Sequence, residues 1–307
     1  MIDGGQATSG GIIHSTVVFQ EAPRPYALVP GGWLPLPLAI PPRFLVDRNV
    51  VADLRKLKTR PVRTDLRGLP WWMQLADHDA ALFNPLPYAW EGPGGRAPND
   101  AEFVQAFEAG VAEIRSALPG AAVVTYGPAE YRAAHDIRSE FETNARREAV
   151  FLEVVCPLLF DRIKPGEEAR IEAAIFEACE RRRVPRYSFV TIAALSCLYE
   201  DRHGDAYPIG RHLLKPSRNY SAAAAYNAVS DLSHLRLAII SGALHGNQPF
   251  SLATSDRALA SFWCALRPVG RLDEHRDIDI ESDLAPELFP RLSSKEGLKR
   301  LEQLLRE

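Results

Sequence analysis

Two short apolar runs, each ending on an aspartate and each followed by a helical pattern, constrain this chain more than any other feature. Phe44-Leu45-Val46 ends on Asp47, and Phe250-Ser251-Leu252-Ala253-Thr254-Ser255 ends on Asp256. Runs this short and this apolar fit strands buried on both faces, as in a parallel sheet. Beyond Asp47, Val50, Val51, Leu54 and Leu57 recur at helical spacing, and Ala258 to Leu266 forms a second such segment. Strand, turn and helix in that order build an open α/β sheet, and ligands gather at the carboxyl ends of its strands. Both aspartates fall at such an end.

The chain has 307 residues, 46% apolar and 24% charged. That is enough for one large folded domain, or a compact domain carrying a substantial insertion. The net charge of −3 neither requires nor forbids a polyanionic partner. Its distribution is more telling. Between Arg43 and Arg67 eight basic residues face three acids, whereas from Arg271 onward seven bases face ten acids. This asymmetry can orient a nucleic acid toward one end of the molecule, although a solvated helix face accounts for it equally well.

Cys156, Cys179, Cys197 and Cys264 stand singly among apolar neighbours, with no CxxC or Cys/His cluster. They read as small buried thiols in a reducing, cytoplasmic protein rather than as zinc ligands or disulfides. The Gly-rich start, Met1 to Gly11, has no basic segment followed by a long apolar one, so no signal peptide is expected. The longest apolar stretch, Phe189 to Leu198, is too short to span a bilayer, so no membrane partner is expected.

The remaining pattern predicts the organisation. Gly11 to Gln20 and Tyr26 to Ile40 alternate around a Pro-Gly-Gly turn and suggest an N-terminal β extension over 1–40. Trp71 to Phe83 reads as helical, with Trp71 and Trp72 as core residues before base-stacking ones. Asp100 to Leu118 is an amphipathic helix, Ala121 to Tyr126 a short β-like run, and Ala129 to about Arg183 helical with a break at Pro165-Gly166. Phe189 to Tyr199 fits a helix or a buried strand, and Tyr207 to Asn219 a loop. Ala222 to Leu244 returns to helix, and an acidic tail over 271–307 carries a last helix at Gly297 to Leu305. The main domain spans 41–270, with a helical insertion at about 92–220.

Phe44-Leu45-Val46-Asp47-Arg48-Asn49-Val50-Val51 resembles the opening of PIN-like nuclease domains, and Ala253-Thr254-Ser255-Asp256 resembles their closing motif. Asn227-Ala228-Val229-Ser230-Asp231-Leu232 is similar to the family's third acidic motif. Glu91, 44 residues after Asp47, falls about where that family places a glutamate at a helix end; Glu102, Glu140 and Glu142 are alternatives. The resemblance covers roughly 43–91 and 226–267, and the 139 residues between Glu91 and Asp231 exceed the usual compact domain.

The resemblance implies an α/β, PIN-like fold, a mainly parallel central sheet flanked by helices, with the β extension and helical insertion added. It implies metal-dependent phosphodiester hydrolysis, most plainly of RNA with DNA as the other polymer. Asp47, Glu91, Asp231 and Asp256 would be the catalytic and metal-binding acids. Converging carboxylates repel one another, and Mg²⁺ or Mn²⁺ is the usual remedy. In this scheme Asp47 is the primary ligand, Asp231 and Asp256 its companions, and Glu91 binds a second ion or orients water. Asn49, Asn227, Thr254 and Ser255 would support the ligands or touch phosphate. Arg48, Arg55, Lys56, Lys58 and Arg60 would hold the nucleic-acid backbone.

Two other readings stay open: a catalytically degenerate PIN-like binding or scaffold module acting through its insertion, and an unrelated α/β hydrolase of a small phosphate ester. A protein partner or homo-oligomer is compatible with each. Other motifs are weaker. Gly92-Pro93-Gly94-Gly95 matches no nucleotide-binding loop, and neither HExxH nor GxSxG occurs. His203, His212, His234 and His245 each read as surface or satisfied core residues rather than ligands. His234 is distinguished by lying three residues after Asp231, on the same helix face. Arg181-Arg182-Arg183 with Arg186 and Tyr187 reads as a solvated helix end, diluted by Glu177 and Glu180.

Overall fold

The computed structural model describes residues 24–59, 74–92, 94–161, 163–164, 166–201, 206–246, 248–272, 278–292 and 294–306. Six strands form the main sheet: β1 (Tyr26–Val29), β2 (Gly32–Pro35), β3 (Arg43–Val46), β4 (Leu82–Asn84), β5 (Ala122–Val123) and β6 (Ser251–Thr254). Their spatial order is β2-β1-β6-β3-β4-β5. β6, β3, β4 and β5 run parallel, and the β1–β2 hairpin joins antiparallel through β1 to β6. The fold is α/β, with a mostly parallel mixed sheet.

Strand alternation divides the core between the two faces. Phe44, Val46, Phe83 and Ala253 point into one cluster with Val50, Val51 and Leu54 of α1 (Arg48–Thr59) and Ile114 of α3 (Asp100–Ala117). Leu45 and Leu252 point to the other face. There they meet Leu86 and Trp90 of α2 (Leu86–Trp90) and residues of α4 (Pro128–Phe160), α5 (Glu168–Arg182), α6 (Phe189–Leu198), α7 (Ile209–Leu214), α8 (Ala222–His245) and α9 (Arg257–Leu266). All ten positions of α6 are buried, so that segment is a helix enclosed on every side. Each of its large apolar side chains contributes about 1.5–3 kcal/mol by burial, enough to make α6 the anchor of the helical layer. Buried ion pairs join the same layer: Arg236 of α8 with Glu148 of α4, and Arg211 of α7 with Glu200 at 2.6 Å.

Several expectations are corrected. The hairpin within Tyr26 to Ile40 is not an appendage, because β1 completes the main sheet against β6; the first run, Gly11 to Gln20, lies outside the described residues. Within Trp71 to Phe83, Trp71 and Trp72 lie outside them too, and Leu82–Asn84 is a strand paired with β3 rather than the end of a helix. α3 packs beside α1 and β5 pairs with β4, so both belong to the sheet unit, and the added helices start at Pro128. The stretch read as a loop contains α7. The acidic tail carries a hairpin, β7 (Pro268–Leu272) with β8 (Ile278–Ser282), before α10 (Lys295–Arg306).

The topology fixes where a site can form. From β3 the chain moves outward through β4 to β5, crosses the helical layer, and returns as β6 on the opposite flank of β3. The gap between β3 and β6 is therefore a topological switch point, where an open α/β sheet leaves a crevice at its carboxyl edge.

Candidate metal centre

Asp47 and Asp256 stand on the two sides of that crevice, and both cap helices. Asp47 follows β3 and its Oδ1 accepts the Val50 amide at 2.8 Å in the first turn of α1. Asp256 follows β6, and its Oδ1 accepts the amides of Ala258 at 2.6 Å and Leu259 at 3.1 Å. Thr254, fully buried, links the two: its hydroxyl hydrogen-bonds the Asp47 carboxylate and its Oγ1 accepts the Asp256 amide at 3.0 Å.

Glu91 reaches the same region from β4. Asn84 Oδ1 accepts the Leu86 amide at 3.0 Å and starts the short helix α2, whose C-cap is Glu91. Gly92 must follow, because a Cβ there would meet the Arg96 carbonyl oxygen at 1.8 Å. Tyr226 of α8 ties this corner to the helix bearing Asp231. Its hydroxyl donates to the Trp90 carbonyl at 3.2 Å and accepts the Gly92 amide at 3.5 Å.

Neighbouring acids raise the pKa of Asp47 and of Asp231, but burial is the larger cause for both. Burial pushes the Asp47 carboxyl, 3% exposed, from an ordinary 3.8 up to about 7. The Thr254 hydroxyl and the Val50 amide oppose that rise, while the Glu91 and Asp256 carboxylates add to it. Asp231 is raised well above the carboxylate range by burial, then by Glu91, Asp256 and Asp47, with Lys215 opposing. Glu91 is raised by burial and restrained by the Arg48 guanidinium. Mutual repulsion, the starting premise for the quartet, is a secondary contribution.

The tightest grouping differs from the expected one. Glu91, Asp231 and His234 each offer a ligand atom, all within 4.8 Å of one another. Asp47 and Asp256 act on Asp231 through their fields from the strand ends. His234 is 1% exposed, its Nδ1 lies 3.9 Å from Glu91 Oε1, and neither ring nitrogen has a hydrogen-bond partner. Burial, aided by the Arg48 charge and opposed by the nearby Pro87 carbonyl, lowers its pKa to about 3, so the ring is neutral. The Asp231-x-x-His234 spacing on one helix face was the available sequence signal. Among the alternatives to Glu91, Glu102 is consumed by the α3 capping box with Asn99 and by Arg96, and Glu142 pairs with Arg146.

Ser255, expected to support the ligands or touch phosphate, donates its hydroxyl to Asp53 Oδ2 at 2.7 Å and ties the β6–α9 turn to α1. Asn49 is exposed in the first turn of α1, and Asn227 is exposed on α8, one turn before Asp231. The basic residues expected to hold a backbone are largely matched by acids. Arg48 Nε bonds Glu91 Oε2 at 3.1 Å, and its other end reaches the Glu91 and Gly92 carbonyls. Arg55 faces Glu113 at 3.3 Å and Lys56 faces Asp53 at 2.9 Å. Arg60 and the Lys58 side chain lie outside the described residues.

A set of carboxylates with one neutral imidazole is the donor chemistry of a divalent cation site. Cys156, Cys179 and Cys197 are buried, free thiols, and none belongs to this set. Among the described residues no helix is long and apolar enough to cross a membrane. No family model, curated protein or solved structure matches the chain.

Proposed function

We propose that this chain is a PIN-like, metal-dependent nuclease that hydrolyses phosphodiester bonds, with RNA as its substrate. One observation carries the reading. Acids from four separate segments (the β3 tip, the end of α2, the middle of α8 and the β6 tip) converge at the switch point of a mostly parallel sheet. For Asp47, Asp231 and Glu91 burial opposes ionisation, a cost that a bound cation offsets.

Glu91, Asp231 and Asp47 would hold Mg²⁺ or Mn²⁺, with Asp256 completing the negative field. The ion would supply charge neutralisation and Lewis acidity for in-line displacement at phosphorus. The protein's own residues set the geometry. Thr254 orients Asp47, Tyr226 fixes the corner bearing Glu91, and Arg48 holds Glu91 Oε2. The exposed Arg48 is also placed to exchange its Glu91 contact for a substrate phosphate, because surface pairs of this kind are weak. Free cysteines suit a reducing compartment, and we place the protein in the cytoplasm.

The observation favouring the scaffold reading is the same Arg48–Glu91 pair, which supplies an internal cation to one of the acids. Incubation of single-stranded and structured RNA with Mn²⁺ or Mg²⁺ separates the two. Cleavage by the wild type, lost in both Asp47→Asn and Asp256→Asn, supports the nuclease. Intact RNA and DNA, with no divalent-ion binding by calorimetry, supports the scaffold.

A further inference from the structure

We infer that His234 is a nitrogen ligand of this centre, and that the centre therefore selects a first-row transition ion such as Mn²⁺ over Mg²⁺. The inference rests on the metal-site reading above and deepens it. Its starting point is independent of the acids. His234 sits inside α8, 1% exposed, and neither ring nitrogen makes a hydrogen bond of ordinary geometry, the Pro87 carbonyl lying near the ring as a weak acceptor. Buried polar atoms are almost always paired, and each orphan costs about 1–3 kcal/mol. With the Pro87 carbonyl as a weak partner for one nitrogen, the other is still an orphan and requires an explanation.

The surroundings supply it. His234 Nδ1 is 3.9 Å from Glu91 Oε1, too far for a hydrogen bond. With Asp231, the three ligand atoms lie within 4.8 Å of one another. Ligand atoms each about 2.0–2.2 Å from an ion stand at most about 4.4 Å apart. Small side-chain rotations therefore close this group on one ion. The Glu91 carboxylate is divided: Oε2 takes the Arg48 Nε at 3.1 Å, while Oε1 accepts the Arg48 amide at a long 3.4 Å and faces the imidazole with its remaining lone pair. The Pro87 carbonyl lies near the ring, and a carbonyl is a common partner for the second nitrogen of a metal-bound histidine.

Ligand softness then sets the ion. Mg²⁺ keeps oxygen ligands and waters in near-ideal octahedral geometry, whereas imidazole belongs with borderline first-row ions. Three carboxylates alone would leave the choice open; a neutral nitrogen at the centre biases it.

The test titrates the full chain with MnCl₂ and, separately, with MgCl₂ by calorimetry, and records pulsed electron paramagnetic resonance of the Mn²⁺-loaded protein. The expected result is Mn²⁺ binding at least about 10-fold tighter than Mg²⁺, with a nitrogen hyperfine coupling in the spectrum. His234→Gln should lose the nitrogen coupling and most of the preference while keeping measurable binding through the acids. Mn²⁺ binding with an all-oxygen spectrum in the wild type would overturn the inference and leave the metal site intact. That measurement needs no variant, so a misfolded His234→Gln does not obscure it. No binding of either ion would overturn both readings.

Discussion

The tips of β3 and β6 are built alike and end in different electrostatic states. Each strand delivers an aspartate that caps the following helix, and Thr254 contacts both. Asp256 spends its Oδ1 on two helix amides and remains partly accessible. Asp47 accepts one amide, is almost wholly enclosed, and is held protonated up to about pH 7. The same local motif therefore serves two ends. Where the cap is well satisfied it stabilises its helix, and where it is enclosed among other acids it stores a charge conflict that a cation can relieve. A strand-tip aspartate is thus both a structural cap and a candidate ligand, and only its surroundings decide the balance.

Exchanging charge for shape at each tip should break the comparison most sharply. Asp47→Asn keeps an oxygen for the Val50 amide but removes the conflict, so chelator-treated protein should gain about 1–3 kcal/mol in urea unfolding. The same variant should lose at least about 100-fold of the metal-dependent cleavage. Asp256→Asn should leave stability within about 0.5 kcal/mol, because asparagine caps helices as well as aspartate does. Equal stability changes at the two tips would erase the distinction.

Proton linkage should follow. The folded protein holds the Asp47 proton to about pH 7, whereas the unfolded chain releases it near 3.8. The folded state therefore binds more protons across that window, and its stability falls as pH rises through it. Asp231 and Glu91 are raised too and act in the same direction. Thermal unfolding in chelator should show this decline, and Asp47→Asn should flatten it. Saturating Mn²⁺ should reverse it, since ligation favours the ionised carboxylates.

Thr254→Val removes the hydroxyl shared by both tips. It should cost about 1–2 kcal/mol and move the pH-dependent decline upward, because Asp47 loses the group that most opposes its raised pKa. Tyr226→Phe should have the smallest effect. Losing the clamp between α2 and α8 should cost about 0.5–1 kcal/mol, with Mn²⁺ affinity falling by more than stability does.

The legible part of this architecture was the part set by local pattern. Phe44 to Asp47 and the run to Asp256 announced strands because they are apolar, short and followed by helical spacing. β4 was hidden because three residues, Leu82–Asn84, are too few to separate from a neighbouring helical pattern; its identity comes from the ladder with β3. The β7–β8 hairpin was missed although Ile278-Asp279-Ile280-Glu281 alternates, because Pro268 and Gly270 blur the strand opposite. At the centre, the choice of acids could be framed from sequence and the Asp231-x-x-His234 spacing set the histidine apart, but its burial beside Glu91 could not be read there. Its importance lies in what fails to touch it, and only tertiary packing creates that. For the same reason the basic stretch looked free in sequence, while Arg48, Arg55 and Lys56 meet Glu91, Glu113 and Asp53 in the fold.

The most direct test counts the protons released when Mn²⁺ is added to unbuffered protein at about pH 6 and again at about pH 8. A cation that relieves buried acids must displace their protons, and Asp47 still carries one at the lower pH. The account requires binding at both values, with release of about one proton or more at pH 6 and less at pH 8. Binding without proton release at pH 6, or no binding at either pH, would contradict it.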